Sequence, residues 1–168
     1  MIRLAAILLL LTLSACGLRP LYGDGGGGTV VAALRSIELA PIGGKSGYLV
    51  RAALEDRLGK PAGGVARYRL EVELDDKIDG FGVRRDDAVT RERRTLRARY
   101  RLVETDGGTV VVDATAGSDA GIDVVSSEFA VVAAEETALE RLSQIISDQI
   151  VARIALYVKR TEPTPAAK

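Results

Sequence analysis

The sequence predicts an α+β fold, a two-layer sandwich in which two helices pack on a four-stranded, mostly antiparallel sheet in the order β-α-β-β-β-α. Two segments alternate apolar and charged residues with a period of two, as strands with one buried face do. Two other segments repeat apolar residues at helical spacing. With 168 residues, of which 47% are hydrophobic, the chain is long enough for one core and too short for two.

The first two predicted elements are a strand and a helix. The segment VVAALRSIELAPI, residues 30–42, is rich in apolar and β-branched residues, and Pro41 ends the strand. The segment SGYLVRAALEDRLG, residues 46–59, predicts a helix of about three to four turns with Gly59 as its C-cap. The residues expected on or beside its apolar stripe are Leu49, Ala53, Leu54 and Leu58.

Three antiparallel strands are predicted next. ARYRLEVELDD, residues 66–76, and TLRARYRLVE, residues 95–104, each place apolar residues on one face and charged residues on the other. A turn at residues 105–108 leads into a third strand at residues 109–116. If neighbouring strands pair, acids of the first face arginines of the second. The residues that such pairing brings together are Glu71, Glu73, Arg97, Arg99 and Arg101.

The last predicted element is a long helix over residues 126–160. Ser126 or Ser127 caps its start, and Lys159 and Arg160 lie at its C-terminal end, where cations are favoured. Roughly 30 helical residues run about 45 Å. This exceeds the length of the predicted strands, so we expect one end to project or the helix to kink. The expected apolar stripe is Val132, Leu139, Leu142, Ile146, Ile150 and Ile154.

The N-terminus has the pattern of a bacterial lipoprotein signal peptide. Arg3 supplies a positive charge, and residues 4–13 form an apolar run of about half the 20 residues that a transmembrane helix needs. Small residues follow, and the order LSAC matches the lipobox, in which the cysteine is acylated and the signal is cut before it. We therefore expect residues 1–15 to be removed and Cys16 to carry the lipid, including palmitate.

The lipid at Cys16 predicts where the domain is held. Acyl chains contribute about 0.8 kcal/mol per buried methylene, so several chains anchor a protein without a membrane span. Gly17 stands where inner-membrane lipoproteins often carry aspartate, which favours the outer membrane after export through the periplasm. We expect residues 16–29 to form a glycine-rich tether, residues 30–160 the single domain, and residues 161–168 a disordered tail.

The composition excludes several functions. The chain has no histidine and one cysteine, so a disulfide within the monomer and a serine hydrolase with a histidine base are both excluded. Zinc, copper and haem lose their commonest ligand, and no metal or cofactor is expected. Basic and acidic residues are equal at 23 each, which gives no reason to expect a nucleic-acid partner.

Paired acids are one remaining candidate for chemistry. They occur at 75–76, 86–87 and 135–136, and carboxylates in pairs can act as acid and base or bind cations. Neighbouring residues on a strand point to opposite faces, however, and neighbours on a helix diverge by about 100°. We interpret these acids as solvated, and no catalytic residue is assigned.

A run of arginines is the second candidate. Residues 83–101 carry eight arginines against three acids. Arginine binds phosphate and carboxylate through two parallel hydrogen bonds, so a cluster beside a membrane predicts a site for anionic lipid. The alternative is a solvated strand face, and it applies most to Arg97, Arg99 and Arg101, for which Glu71 and Glu73 are expected partners. The candidate ligand-binding residues are Arg84, Arg85, Arg91, Arg93 and Arg94.

Taken together, these segments resemble the lipopolysaccharide-assembly lipoprotein family, LptE, in its alphaproteobacterial form. The resemblance rests on CGLRPLYG after the lipobox, the GYLVRAALEDRL helix, the YRLEVEL and ARYRLVE strands, and AAEETALERLSQIISDQIVARIALY in the last helix. It covers essentially the whole chain. Its most specific part is CGLRPLYG, residues 16–23.

The resemblance implies a partner protein without enzymatic activity. Family members plug the lumen of the outer-membrane β-barrel that translocates lipopolysaccharide, an LptD-like protein, and assist its assembly. They are also thought to bind lipopolysaccharide through basic residues near the strand loops, a region that here holds the five candidate arginines. The alternative is a stand-alone outer-membrane lipoprotein that binds anionic lipid or peptidoglycan.

Overall fold

The computed structural model describes residues 27–59, 65–83 and 89–161 of the chain. Expectations for the other residues, including the signal peptide, Cys16 and most of the tether and tail, lie outside this part. The described elements are α1 (Gly27–Leu34), β1 (Ile37–Leu39), α2 (Gly44–Leu58), β2 (Tyr68–Val83), β3 (Val89–Glu104), β4 (Val110–Asp123) and α3 (Glu128–Thr161).

The sheet confirms the predicted α+β architecture. Its four strands lie in the order β1-β2-β3-β4. β1 pairs with β2 in parallel, and the other two pairs are antiparallel. The predicted pairing of acids with arginines is also present, because Glu71 lies opposite Arg101 and Glu73 opposite Arg99.

The strands are much longer than the sequence predicts. β2 and β3 each have 16 residues and β4 has 14, so most of residues 77–94, which the apolar alternation leaves unassigned, is strand. The reason is that inward positions here hold charged residues. The side chains of Asp76, Glu92 and Arg94 point to the same face of the sheet as those of Leu70 and Leu102. They interrupt the apolar alternation, although the strands continue.

The start of the domain differs from the prediction. Residues 27–34 form α1, and only three residues form β1, whereas the sequence reading extends the strand over VVAAL. Val30, Ala33 and Leu34 are all buried, and their spacing of three and four residues puts them on one side of a helix. This additional helix also begins within the range expected for the tether.

Helix α2 begins two residues before the predicted segment, at Gly44, and has the C-cap that the sequence predicts. Gly59 has a positive φ of 80°, and its N–H donates to the carbonyl of Glu55 at 3.0 Å. Val50 and Leu54 are buried in the core, while Leu49 is only half-buried. A Cβ at Gly47 would lie 2.7 Å from the backbone oxygen of Ile42, so the loop before α2 approaches this turn closely.

Helix α3 is continuous over 34 residues, or about 50 Å. A strand of 16 residues spans about 53 Å, so helix and sheet match in length. Five of the six predicted stripe residues are buried. The sixth, Val132, is 46% exposed. Helix α2 begins beside Glu136, which its Lys45 contacts, and therefore does not reach Val132.

Among the described residues, the helices cover one face of the sheet and leave the other face exposed. The core joins inward residues of β2 and β3, such as Leu70 and Leu102, to Ile150 and Ile154 of α3. The uncovered face is called here the open face. It carries the side chains of the odd-numbered residues of β2 and β3, many of which are charged. Within the described ranges, no helix combines the length and apolar character that crossing a bilayer requires.

Candidate functional site

The candidate site lies on the open face near the hairpin that joins β2 and β3. Arg91 of β3 sits between Phe81 of β2 and Asp123 of β4 in the strand register. Arg93, two residues along, lies on the same face because strand side chains alternate. We call Phe81, Arg91 and Arg93 the distal arginine face.

Both arginines of this face are accessible and weakly held. Nε of Arg91 lies 3.1 Å from Oδ1 of Asp123, and both side chains are mostly exposed. Nε of Arg93 lies 3.9 Å from Oδ2 of Asp119, and its guanidinium stacks 5.3 Å from the ring centroid of Phe81. Exposed ion pairs of this kind contribute about 0 to 1 kcal/mol, so a ligand anion can replace the aspartates at low cost.

Arg94 has a different environment from its two neighbours. It points toward α3, and its guanidinium donates to both carboxylate oxygens of Asp76 at 2.9 and 2.7 Å. It also donates to the backbone oxygen of Glu135 at 2.9 Å. The side chains of Arg94 and Asp76 are only 12% and 20% exposed, and the hydrogen bond that Arg94 donates to Asp76 raises the pKa of Arg94. Arg94 thus ties α3 to the sheet.

The two remaining candidates, Arg84 and Arg85, lie outside the described residues. The sequence places them, with two aspartates, between the ends of β2 and β3. Among the five candidates, the structure therefore brings Arg91 and Arg93 together on one face and directs Arg94 to the other.

Two of the three remaining arginines of the run, Arg99 and Arg101, have partners on the open face, as the alternative interpretation predicts. Arg101 contacts Glu71 at 3.1 Å. Arg99 contacts Asp113 of β4 at 3.1 Å, rather than Glu73, and this hydrogen bond lowers the pKa of Asp113. Acids of β2 and β4 therefore interleave with the arginines of β3, and the open face is mixed in charge rather than uniformly positive.

The paired acids do not converge on a common point. Asp75 faces the open side, where it contacts Lys77 at 3.1 Å, while Asp76 faces α3. Glu136 contacts Lys45, and this hydrogen bond lowers the pKa of Glu136. Asp86 and Asp87 lie outside the described part. No group of three potential metal ligands occurs among the described residues.

Another pair of acids was not apparent in the sequence. Glu92 of β3 and Glu135 of α3 face each other beside Arg94. Burial raises the pKa of Glu92, and the neighbouring Glu135 raises it further. Oε2 of Glu92 is buried without a hydrogen-bond partner. This pair is not predictable from a sequence pattern, because its members are 43 residues apart on different elements, 135 minus 92.

The sequence reading also missed the role of Phe81 and of the β4 aspartates. Asp119 and Asp123 alternate with small residues in DATAGSDAGID, a strand pattern that the prediction ended at Ala116. Alternation of aspartate with alanine, serine and glycine has little apolar contrast, which is why the pattern is hard to recognise.

The described fold has clear relatives among solved structures. A candidate lipoprotein from Caulobacter crescentus CB15 matches with a TM-score of 0.61 and 23% identity over 77% of this chain and 95% of that one. The rare lipoprotein B from Shewanella oneidensis matches with a TM-score of 0.56 and 12% identity over 71% of this chain and 93% of that one. Lipoprotein B from Nitrosomonas europaea matches with a TM-score of 0.56 and 12% identity over 72% of this chain and 81% of that one. At these identities the likeness is one of fold.

A search of curated proteins finds no match. The model of the LptE family, described as lipopolysaccharide-assembly, matches residues 34–154. This range runs from the end of α1 through most of α3, which is more than half of the chain. The resemblance seen in the sequence is confirmed, and the chain belongs to the LptE family of lipopolysaccharide-assembly lipoproteins.

Proposed function

We propose that this lipoprotein is an outer-membrane protein that plugs the lumen of the lipopolysaccharide-translocating β-barrel and assists its assembly. The observation that carries the proposal is the family match across residues 34–154, which includes all four strands and most of α3. Its role is to support the partner, and we propose no enzymatic activity for it.

The dimensions and polarity of the domain support the proposal. Strands of 16 residues make the domain about 50 Å long, compared with about 40 to 45 Å for a bilayer with its headgroups. The open face is lined with ion pairs, such as Arg101–Glu71 and Arg99–Asp113, and lumens of outer-membrane barrels are polar. A long domain with such a face is compatible with the hydrated, polar lumen of a barrel.

The anchor belongs to the same proposal. Acylated Cys16 would hold the protein at the outer membrane, with ten residues between it and the start of α1 at Gly27, 27 minus 16 minus 1. Helix α1 precedes β1, which pairs with the first residues of β2. The lipid would therefore attach near the end of the sheet that lies opposite the β2–β3 hairpin.

The distal arginine face would contact lipopolysaccharide. Phosphates and carboxylates accept two parallel hydrogen bonds from a guanidinium, and Arg91 and Arg93 can release their aspartates for such a ligand. Arg84 and Arg85 would add to this site from the hairpin. Arg94 would contribute by fixing β3 against α3, since it has to leave Asp76 to reach a ligand.

The first experiment is purification of the C-terminally tagged chain from outer membranes in mild detergent, with identification of the proteins that accompany it. We expect a large β-barrel in stoichiometric amount that survives high salt. Recovery of the chain alone, under conditions that keep other barrel complexes intact, would refute the plug.

The arginines need a separate experiment. Arg91→Ala with Arg93→Ala is expected to reduce binding of purified lipopolysaccharide to the chain, whereas Arg99→Ala with Arg101→Ala removes two arginines from the same face at its other end. Equal losses in the two double variants would show that total charge, rather than the distal arginine face, determines binding.

The second candidate function is a stand-alone lipoprotein that binds anionic lipid or peptidoglycan. The observation in its favour is that the side chains of Arg91 and Arg93 are mostly exposed and form only weak ion pairs, which leaves them open to an anionic ligand. It would be supported by purification of the chain alone together with retention of its ligand binding.

A further inference from the structure

The two edges of the sheet are protected to different degrees. At the β4 edge, the side-chain amide of Gln149 donates to the carbonyl of Gly117 at 3.4 Å and accepts from its N–H at 3.2 Å. At the other edge, β1 pairs only with Tyr68–Leu70. The last backbone contact there is the N–H of Ala40 donating to the carbonyl of Leu70 at 2.9 Å. Beyond Leu70, β2 is itself the edge.

The register shows which groups of β2 are left open. Tyr68 and Leu70 direct their backbone groups toward β1. The backbone N–H and C=O groups of even-numbered residues of β2 therefore point away from β3, and those of odd-numbered residues pair with β3. Among the described residues, no backbone or side-chain group bonds these outward N–H and C=O groups. An open row of this kind is a template for another strand. The residues concerned are Val72, Leu74, Asp76, Ile78 and Gly80.

An apolar surface lies beside this edge on the helix-covered side. Val72 is buried, but Ile78 is 40% exposed, because α2 begins at the level of Glu136 and covers only the first part of β2. Phe129 and Val132 lie seven and four residues before Glu136, on the same side of α3. They are 85% and 46% exposed. Apolar side chains of an added strand would pack here.

Between Val72 and Gly80, the open side of the edge carries three acids and one base, Lys77, which is paired with Asp75 at 3.1 Å. Glu73 and Asp79 lie along β2, and neither has an ion pair within 4.0 Å among the described residues. A strand that carried lysine or arginine at alternate positions would place them beside these two carboxylates. A second copy of this chain, paired β2 to β2 about Asp76, would instead bring Glu73 against Asp79, and Lys77 would offset only Asp75, with which it is already paired.

We propose that the β2 edge between Val72 and Gly80 accepts an extended segment of another protein whose residues alternate between basic and apolar. The basic residues face Glu73 and Asp79, and the apolar residues face Ile78 and Phe129. Asp76, an inward charge paired with Arg94, keeps the edge from pairing indiscriminately. This site goes beyond the proposed function, since it does not depend on residence in a barrel.

The test measures binding of the synthetic peptide KVKVKVK to the full chain in mild detergent by fluorescence anisotropy, with EVEVEVE as the acidic counterpart. We expect KVKVKVK to bind, and Ile78→Pro to weaken it at least tenfold, because proline removes an outward N–H while leaving the β3 ladder intact. Thr115→Pro makes the same change at the β4 edge and should leave binding unchanged. Circular dichroism verifies the fold of both variants.

A charge variant keeps the test decisive if Ile78→Pro unfolds. Glu73→Lys with Asp79→Lys should weaken KVKVKVK at least tenfold and allow EVEVEVE to bind. Asp56→Lys with Asp106→Lys changes net charge equally at distant exposed sites and should change neither. KVKVKVK methylated on the pairing nitrogens keeps its charge but cannot extend the sheet. Equal binding of this peptide would overturn the proposal, as would a dimer that Ile78→Pro dissociates, because the edge would then belong to a second copy.

Discussion

The two halves of the sheet differ in how many helices cover them. In the proximal half, near β1, both α2 and α3 lie over the strands, and inward residues such as Leu70 and Leu102 are fully buried. In the distal half, near the β2–β3 hairpin, α2 is absent, and the inward residues Asp76, Glu92 and Arg94 are charged. The difference shows that the second helix, rather than the sheet itself, determines where apolar alternation ends.

The physical reason lies in access to water. A leucine side chain contributes about 1.5 to 3 kcal/mol when it is fully buried. In the distal half Ile122 of β4 is still buried, but the inward positions of β2 and β3 there are less covered. Under one helix, water reaches the inward positions, and charges are tolerated where they find partners. Arg94 and Asp76 form such a pair. The distal half is therefore held to α3 by polar contacts.

The largest expected effect is in the proximal half. Ile150→Ala removes a fully buried side chain and should lower the free energy of unfolding by about 2 to 5 kcal/mol. Val132→Ala, at a half-exposed position of the same helix, should lower it by less than about 1 kcal/mol. Urea unfolding measures both. Similar losses of unfolding free energy in the two variants would mean that the helices exclude water equally from both halves.

The next largest effect is in the distal half. Arg94→Ala leaves Asp76 without its partner and should cost about 2 kcal/mol, less than the roughly 3 to 5 of a fully buried pair, because water still reaches this one. Arg91→Ala is the matched exposed control, with an expected change within about 0.5 kcal/mol. Asp76→Asn in the Arg94→Ala background should recover part of the loss in a double-mutant cycle.

A smaller effect is expected on the open face, where neither half is covered. Arg101→Ala breaks the cross-strand pair with Glu71, and such pairs contribute about 0.2 to 1 kcal/mol. The effect should shrink further in high salt, since exposed pairs are screened. A loss comparable with that of Arg94→Ala would indicate that the open face is less hydrated than its exposure shows.

The smallest effect concerns pH. Burial, and then Glu135, raises the pKa of Glu92, so the folded chain binds more protons than the unfolded chain between the ordinary glutamate pKa and the raised one. Stability therefore falls as pH rises through that window. Glu92→Gln should raise the urea midpoint slightly at neutral pH, and the gain should vanish near pH 4. A gain that persists at pH 4 would assign the effect to packing instead.

The sequence predicts the proximal half of the fold better than the distal half. The proximal strands, α2 and most of the α3 stripe are predictable, because Leu70, Ile150 and their neighbours alternate or repeat with high apolar contrast. The extension of the strands through residues 77–94 was not predictable from that signal, since inward charges remove the contrast. Helix α1 was missed because Val30 and Val31 have β propensity, although the spacing of Ala33 and Leu34 is helical.

The candidate site was predictable in part. Counting arginines identified the hairpin, and Arg91 and Arg93 do share an exposed face. Counting could not separate Arg94 from them, because one step along a strand reverses the side chain and only the position of α3 shows which face is covered. Nor could it reveal that aspartates of β4, such as Asp119, lie close to the arginines.

The contact between Gln149 and Gly117 has a consequence for stoichiometry. One amide side chain occupies both backbone groups of Gly117, so it takes the position of a neighbouring peptide group and blocks the middle of the β4 edge. Growth of a filament by strand addition requires two complementary open edges on each molecule. Because the middle of the β4 edge is blocked in the part of the chain that the structure describes, we expect strand addition at the β2 edge to give a closed one-to-one complex rather than a fibre.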